Sequence, residues 1–85
     1  MNDIKWSKAE KAAARRAFDT AYQRECSSIA AKLKQMIENA HEPSDIWRIH
    51  DYLSEQRDEV DRKYDYRYSV LMFVFSTLFR EGWLR

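Results

Sequence analysis

One glycine and one proline in 85 residues leave almost no material for tight turns. Short hairpins need residues that tolerate positive φ, so a sheet of turn-linked strands is excluded and long unbroken helices are favoured. Cys26 is the sole cysteine, which rules out an intramolecular disulfide and a zinc site built on paired thiolates. The two histidines, His41 and His50, lack metal-ligand spacing, so no metal is expected. A glycine-rich phosphate loop is impossible with one glycine. Charge of one sign is missing too: fifteen Lys plus Arg against fourteen Asp plus Glu give a net +1, without the basic excess of a nucleic-acid binder. Long apolar runs are absent. The stretch from Val70 to Phe79 is broken by Ser76 and Thr77 and reaches about half the length needed to span a bilayer. No secretory signal is visible, so the expected location is cytoplasmic, with no membrane insertion.

What is present is a foldable chain. Hydrophobic residues make up 45%, too many for a disordered polymer, and the length suits a single domain over residues 1–85. The halves differ in charge: residues 1–40 hold eight basic and five acidic groups, +3, and residues 41–85 hold seven and nine, −2. A basic first helix lying on acidic later ones accounts for that split.

Ser7, with Glu10 three residues on, has the spacing of a capping box and predicts a helix from Lys8 to Asn39. Ala14, Phe18, Ala21, Tyr22, Ile29, Leu33, Met36, Ile37 and Ala40 then recur in steps that keep one stripe on one face. Such a helix is about 48 Å long, whereas a compact domain of this size has a radius of gyration of about 12 Å. Its stripe therefore needs cover from outside the chain, and a second copy is the economical source. Pro43 suits the first turn of a second helix running toward Lys63, and Ile46, Ile49, Leu53, Gln56 and Val60 form a heptad-like seam expected to face the core. Ile46, Ile49 and Leu53 are the expected dimer interface. Asp65 is a candidate cap for a third helix, apolar almost all round from Val70 to Phe79, therefore expected to be buried on most sides, and ended by Gly82 as the C′ residue. The predicted fold is all-α: a long first helix and two following helices, forming an elongated homodimer.

On the second helix, Trp47 sits off the seam, and His50, Asp51, Ser54 and Arg57 project from neighbouring turns of the same side. Trp and Arg are enriched in binding hot spots, one as a rigid anchor and the other as a planar donor fork. Periodicity alone leaves two readings of Trp47, a binding anchor or a ring packed under the first helix. His50 and Asp51 do not make an enzyme, because neighbouring residues on a helix point about 100° apart and no nucleophile motif accompanies them. Tyr64, Tyr66 and Tyr68 with Arg62, Lys63 and Arg67 read as a helix junction with rings packed over the core. Cys26 has no clear activating environment and reads as a packing residue.

The run Trp47-Arg48-Ile49-His50-Asp51-Tyr52-Leu53-Ser54, with Arg57, Lys63-Tyr64-Asp65, Arg67, Ser69-Val70 and Phe73-Val74-Phe75, resembles the cyanobacterial fluorescence recovery protein family. Trp6-Ser7-Lys8-Ala9-Glu10, Phe18, Ala21-Tyr22-Gln23-Arg24-Glu25 and Glu81-Gly82 extend the resemblance over nearly the whole chain. It implies an all-α homodimer that binds the photoactivated orange carotenoid protein, hastens its return to the orange resting form and aids its release from the phycobilisome. It implies no catalysis and no cofactor. Trp47, His50, Asp51, Arg57 and Phe73 are the partner-binding residues it suggests. Family members continue beyond the position of Gly82 into a further helical head segment, whereas this chain stops three residues later. A dimeric helical adaptor for an unrelated bacterial partner is the other reading of the same surface.

Overall fold

The computed structural model describes residues 5–85, which form three helices: α1, Lys8–Glu38; α2, Pro43–Lys63; and α3, Leu71–Arg80. The capping box forms as its spacing predicts. Ser7 Oγ accepts from the Glu10 backbone N–H at 3.1 Å, and Glu10 Oε1 accepts from the Ser7 N–H at 2.8 Å. Asn39 caps the far end, its backbone N–H donating to the Gln35 carbonyl at 3.2 Å and its side-chain amide to the same oxygen at 3.0 Å. Pro43 opens α2, and one oxygen of Asp45 reaches back to the backbone N–H groups of His41 and Glu42, each at 2.9 Å. Those two bonds satisfy donors that the helix itself cannot.

The four-residue connection between α1 and α2 makes them an antiparallel hairpin, and the chain then doubles back along α1. Residues 64–70 carry Tyr64 and Tyr66 edge-on to the Phe18 ring, with centroids at 5.4 and 4.8 Å. α3 returns beside the N-terminal half of α1. There Ala14, Phe18 and Ala21 meet Leu71, Val74 and Leu78 in the core, with Trp6, Phe75, Trp83 and Leu84 around it. The molecule thus has a three-helix end with a core and a two-helix arm without one. Beyond Glu25, α1 has no buried residue, and on α2 only Val60 is buried. The principal extents of 53 × 23 × 19 Å and a radius of gyration of 16.4 Å record that elongation.

Three expectations change. Asp65 does not cap α3: its carboxylate takes the Arg67 guanidinium at 2.6 and 2.9 Å, which leaves it no role at a helix start, and the cap position falls at Val70. The apolar character of α3 is not matched by burial, for only Leu71, Val74 and Leu78 are buried, while Met72, Phe73 and Phe79 face outward. The α2 seam is likewise split within one chain. Val60 is buried and Ile49 and Gln56 are half-buried, but Ile46 is 54% exposed and Leu53 44%, because α3 does not extend along the arm. The predicted ending of α3 is present in full. Gly82 has φ +89°, the Trp83 N–H donates to Leu78 O at 2.9 Å and the Gly82 N–H to Phe79 O at 3.1 Å, the paired bonds of a Schellman motif.

A polar junction joins the helices where the arm meets the core. Lys63, the last residue of α2, donates to Glu25 of α1 at 2.7 Å and to Glu81 beyond α3 at 2.7 Å. Tyr64 donates its hydroxyl to the other Glu25 oxygen at 2.9 Å. Burial opposes the Lys63 charge, and the hydrogen bonds and charges of Glu25 and Glu81 outweigh it, so its pKa stands above the ordinary lysine value.

Candidate partner-binding surface

Helical spacing on α2 divides its circumference. Ile49, Gln56 and Val60 turn toward α1, His50, Ser54 and Arg57 stand on the flank beside them, and Trp47 stands on the far side, the last four all exposed. Trp47 is 66% exposed, so it is not packed under α1. Of the two readings left open by periodicity, the one that packs the ring under the first helix is excluded. His50 Nδ1 lies 3.4 Å from Asp51 Oδ1, and Arg57 Nε lies 3.4 Å from Asp61 Oδ2, one turn on. Both pairs are long and solvent-exposed, so they cost a partner little to replace.

Between α1 and α2 runs an open cleft of about 440 Å³, with Tyr22, Cys26 and Ile29 on one wall and His50, Leu53 and Arg57 on the other. An apolar floor bordered by an imidazole and a guanidinium offers both buried area and directed polar contacts to a protein segment. Asp51 stays outside this cleft, as does Trp47, which stands at its outer side. Phe73, 75% exposed, belongs to a different place: a second cleft of about 400 Å³ between α3 and the end of α2, with Glu59, Arg62 and Lys63 opposite. The helix-two residues therefore form one strip, and Phe73 lies on another side of α2.

Sequence reasoning missed the Glu25–Lys63–Glu81 junction. The signal was an acid at a position that continues the α1 stripe, four residues after Ala21 and seven after Phe18. Glu25 is buried, and its cation Lys63 is half-buried beside it. The tyrosines are the helix junction that the sequence predicted, with Arg15 stacked over the Tyr66 ring at 4.6 Å. Cys26 is half-buried beside Tyr22. Among the described residues no group of His, Cys, Asp and Glu is arranged to hold a metal ion, and no helix is long and apolar enough to cross a membrane.

The sequence model of a family described as photoprotection regulator fluorescence recovery protein matches residues 6–85. The chain belongs to the fluorescence recovery protein family. It is 43% identical over 77 residues to the fluorescence recovery protein of Synechocystis sp. PCC 6803, covering 91% of this chain and 71% of that protein. The solved fluorescence recovery protein of Fremyella diplosiphon superposes with a TM-score of 0.88 at 46% identity, covering 95% of this chain and 79% of that one. The Synechocystis structure gives 0.89 at 41% identity with the same coverage. The all-α, three-helix fold is thus that of fluorescence recovery proteins, a family of regulators of photoprotection.

Proposed function

We propose that this chain, as a cytoplasmic homodimer, binds the photoactivated form of the orange carotenoid protein through Trp47, His50, Asp51, Arg57 and Phe73. It speeds that protein's return to the orange resting form and promotes its release from the phycobilisome. The observation that carries the reading is the family match over residues 6–85. The exposed strip on α2 supports it, because a large aromatic ring and a guanidinium left in water on one helix face are what a binding surface needs and a core does not.

No bond is made or broken in such an activity. A protein that accelerates a conformational return binds the closing conformation more tightly than the open one, since equal affinity for both would change neither rate nor equilibrium. Dimerisation is supported by the bare arm, whose Ile46 and Leu53 remain about half exposed within their own chain. The test is the dark red-to-orange recovery of purified orange carotenoid protein, followed by absorbance with and without the dimer. Acceleration that saturates with added protein is expected; an unchanged recovery time over a wide range of concentrations rejects the partner.

A further inference from the structure

α3 is held by two different kinds of force. Leu71, Val74 and Leu78 fix it to α1 by apolar packing, which attracts strongly but does not set register. At its end the forces are directional. Glu81 Oε1 accepts from Lys63 Nζ at 2.7 Å and from the Trp83 indole N–H at 3.1 Å, while Arg24 Nη1 donates to the Trp83 carbonyl at 2.9 Å.

Lys63 does not need Glu81 for neutrality, because Glu25 already faces it at 2.7 Å with both side chains only 9% exposed. Glu25 in turn has its second oxygen satisfied by Tyr64. A second carboxylate on an already neutralised ammonium adds little net charge balance and a great deal of geometry. The bond to Glu81 is covered only at its lysine end, Glu81 being 37% exposed, so it acts less by adding stability than by fixing the direction in which α3 ends. Lys63 and Glu81 also lie together in the wall of the cleft that carries Phe73.

We propose that Glu81 is a positioning residue: through Lys63 it ties the end of α3 to the last turn of α2 and so sets where Phe73 stands relative to the Trp47–Arg57 strip. Its consequence for a partner that touches both surfaces rests on the function proposed above. Glu81 is a better probe than Lys63, since removing the lysine would leave Glu25 buried without its cation. In Glu81→Ala the pair Lys63–Glu25 and the core of α3 remain.

Hydrogen–deuterium exchange of the partner-free dimer reads the tie directly. Glu81→Ala should speed exchange of the α3 amides by about tenfold and leave the middle of α1 unchanged. With orange carotenoid protein, the concentration for half-maximal acceleration should rise about fivefold, with the maximal acceleration held within about twofold. Glu81→Gln keeps an oxygen acceptor and should restore both readings to within about twofold of the wild type. Unchanged α3 exchange in Glu81→Ala overturns the tie. Faster exchange with an unchanged half-maximal concentration overturns the positioning role, as does a Gln variant that behaves like Ala. A wild type inert toward the carotenoid protein would remove the proposed function instead, and the exchange readings would still decide the tie.

Discussion

Trp47 and Arg57 lie on one strip, yet they would serve a partner through different physics. The indole offers area: truncation to Ala should cost about 2 kcal/mol, or about thirtyfold in affinity, if the ring is buried on binding. The guanidinium offers geometry, and Arg57→Lys should weaken binding by about tenfold although charge is kept, because an ammonium cannot reproduce a planar fork toward a carboxylate. Titrating each variant against recovery of the carotenoid protein separates the two, and activity indifferent to both substitutions would place the working surface elsewhere. The junction gives a residue-scale prediction of another kind. Burial, reinforced by the hydrogen bond to Glu25 and its charge, raises the pKa of Tyr64 well above that of a free phenol. A group with a raised folded pKa lends stability that is complete below its unfolded value, about 10, and is lost as pH rises toward the folded one. Lys63, also raised, acts in the same direction over the same alkaline range. Thermal melts should therefore fall steeply above about pH 10, and Tyr64→Phe should flatten that fall. A Phe variant with the wild-type alkaline slope would show that the phenol does not contribute.

Among the helices, legibility followed the range of the interactions that fix each boundary. α1 and its capping box, the Pro43 start and the Gly82 stop were all readable, because each depends on residues within a turn of the boundary. The start of α3 was not. Asp65 has the chemistry of a cap, but Arg67 two residues on takes its oxygens, and the ring stack of Tyr64, Tyr66 and Phe18 holds the connection out of helical form. Glu25 was hidden for a similar reason: nothing local to it announces a lysine 38 residues away. Helical spacing put Trp47 off the seam but left it either outward or under α1, and only its exposure in the fold decides between them; the separation of Phe73 from it depends on how α3 crosses α2, which no spacing encodes. The stop of α3 also carries a test. Gly82 has room for a Cβ, with nothing within 4 Å, but its φ of +89° is one that side chains disfavour. Gly82→Ala should cost about 1 kcal/mol through backbone strain alone, lowering the melting temperature by about 4–8 °C. An unchanged melting temperature would mean that the Schellman turn relaxes without cost.

For the whole molecule the decisive fact is unequal burial along its length. The three-helix end has a core, and the arm presents Ile37, Ile46 and Leu53 to water from two helices that can cover one another on only one side. An isolated pair of helices of this kind is a poor unit of stability, since most helical stability in proteins comes from burying an apolar face. A second copy placed against the arm would supply the missing cover and double every contact through its symmetry. Ile46 makes the sharpest probe because it is 54% exposed within its own chain. A glutamate there disturbs little intrachain packing, so its effect would report on association. In a symmetric dimer the substitution occurs twice at one interface, and desolvating two unpaired carboxylates should weaken dimerisation by on the order of a hundredfold or more. Light scattering at tens of micromolar should show the wild type at twice the chain mass and Ile46→Glu shifted toward one. Circular dichroism should show the three-helix end intact, with any loss of helix confined to the arm's share of the signal. A wild type that scatters as a single chain would remove the dimer altogether. A variant as dimeric as the wild type would move the interface off the seam, to the exposed Met72 and Phe79 face of α3 as the next apolar surface on the molecule.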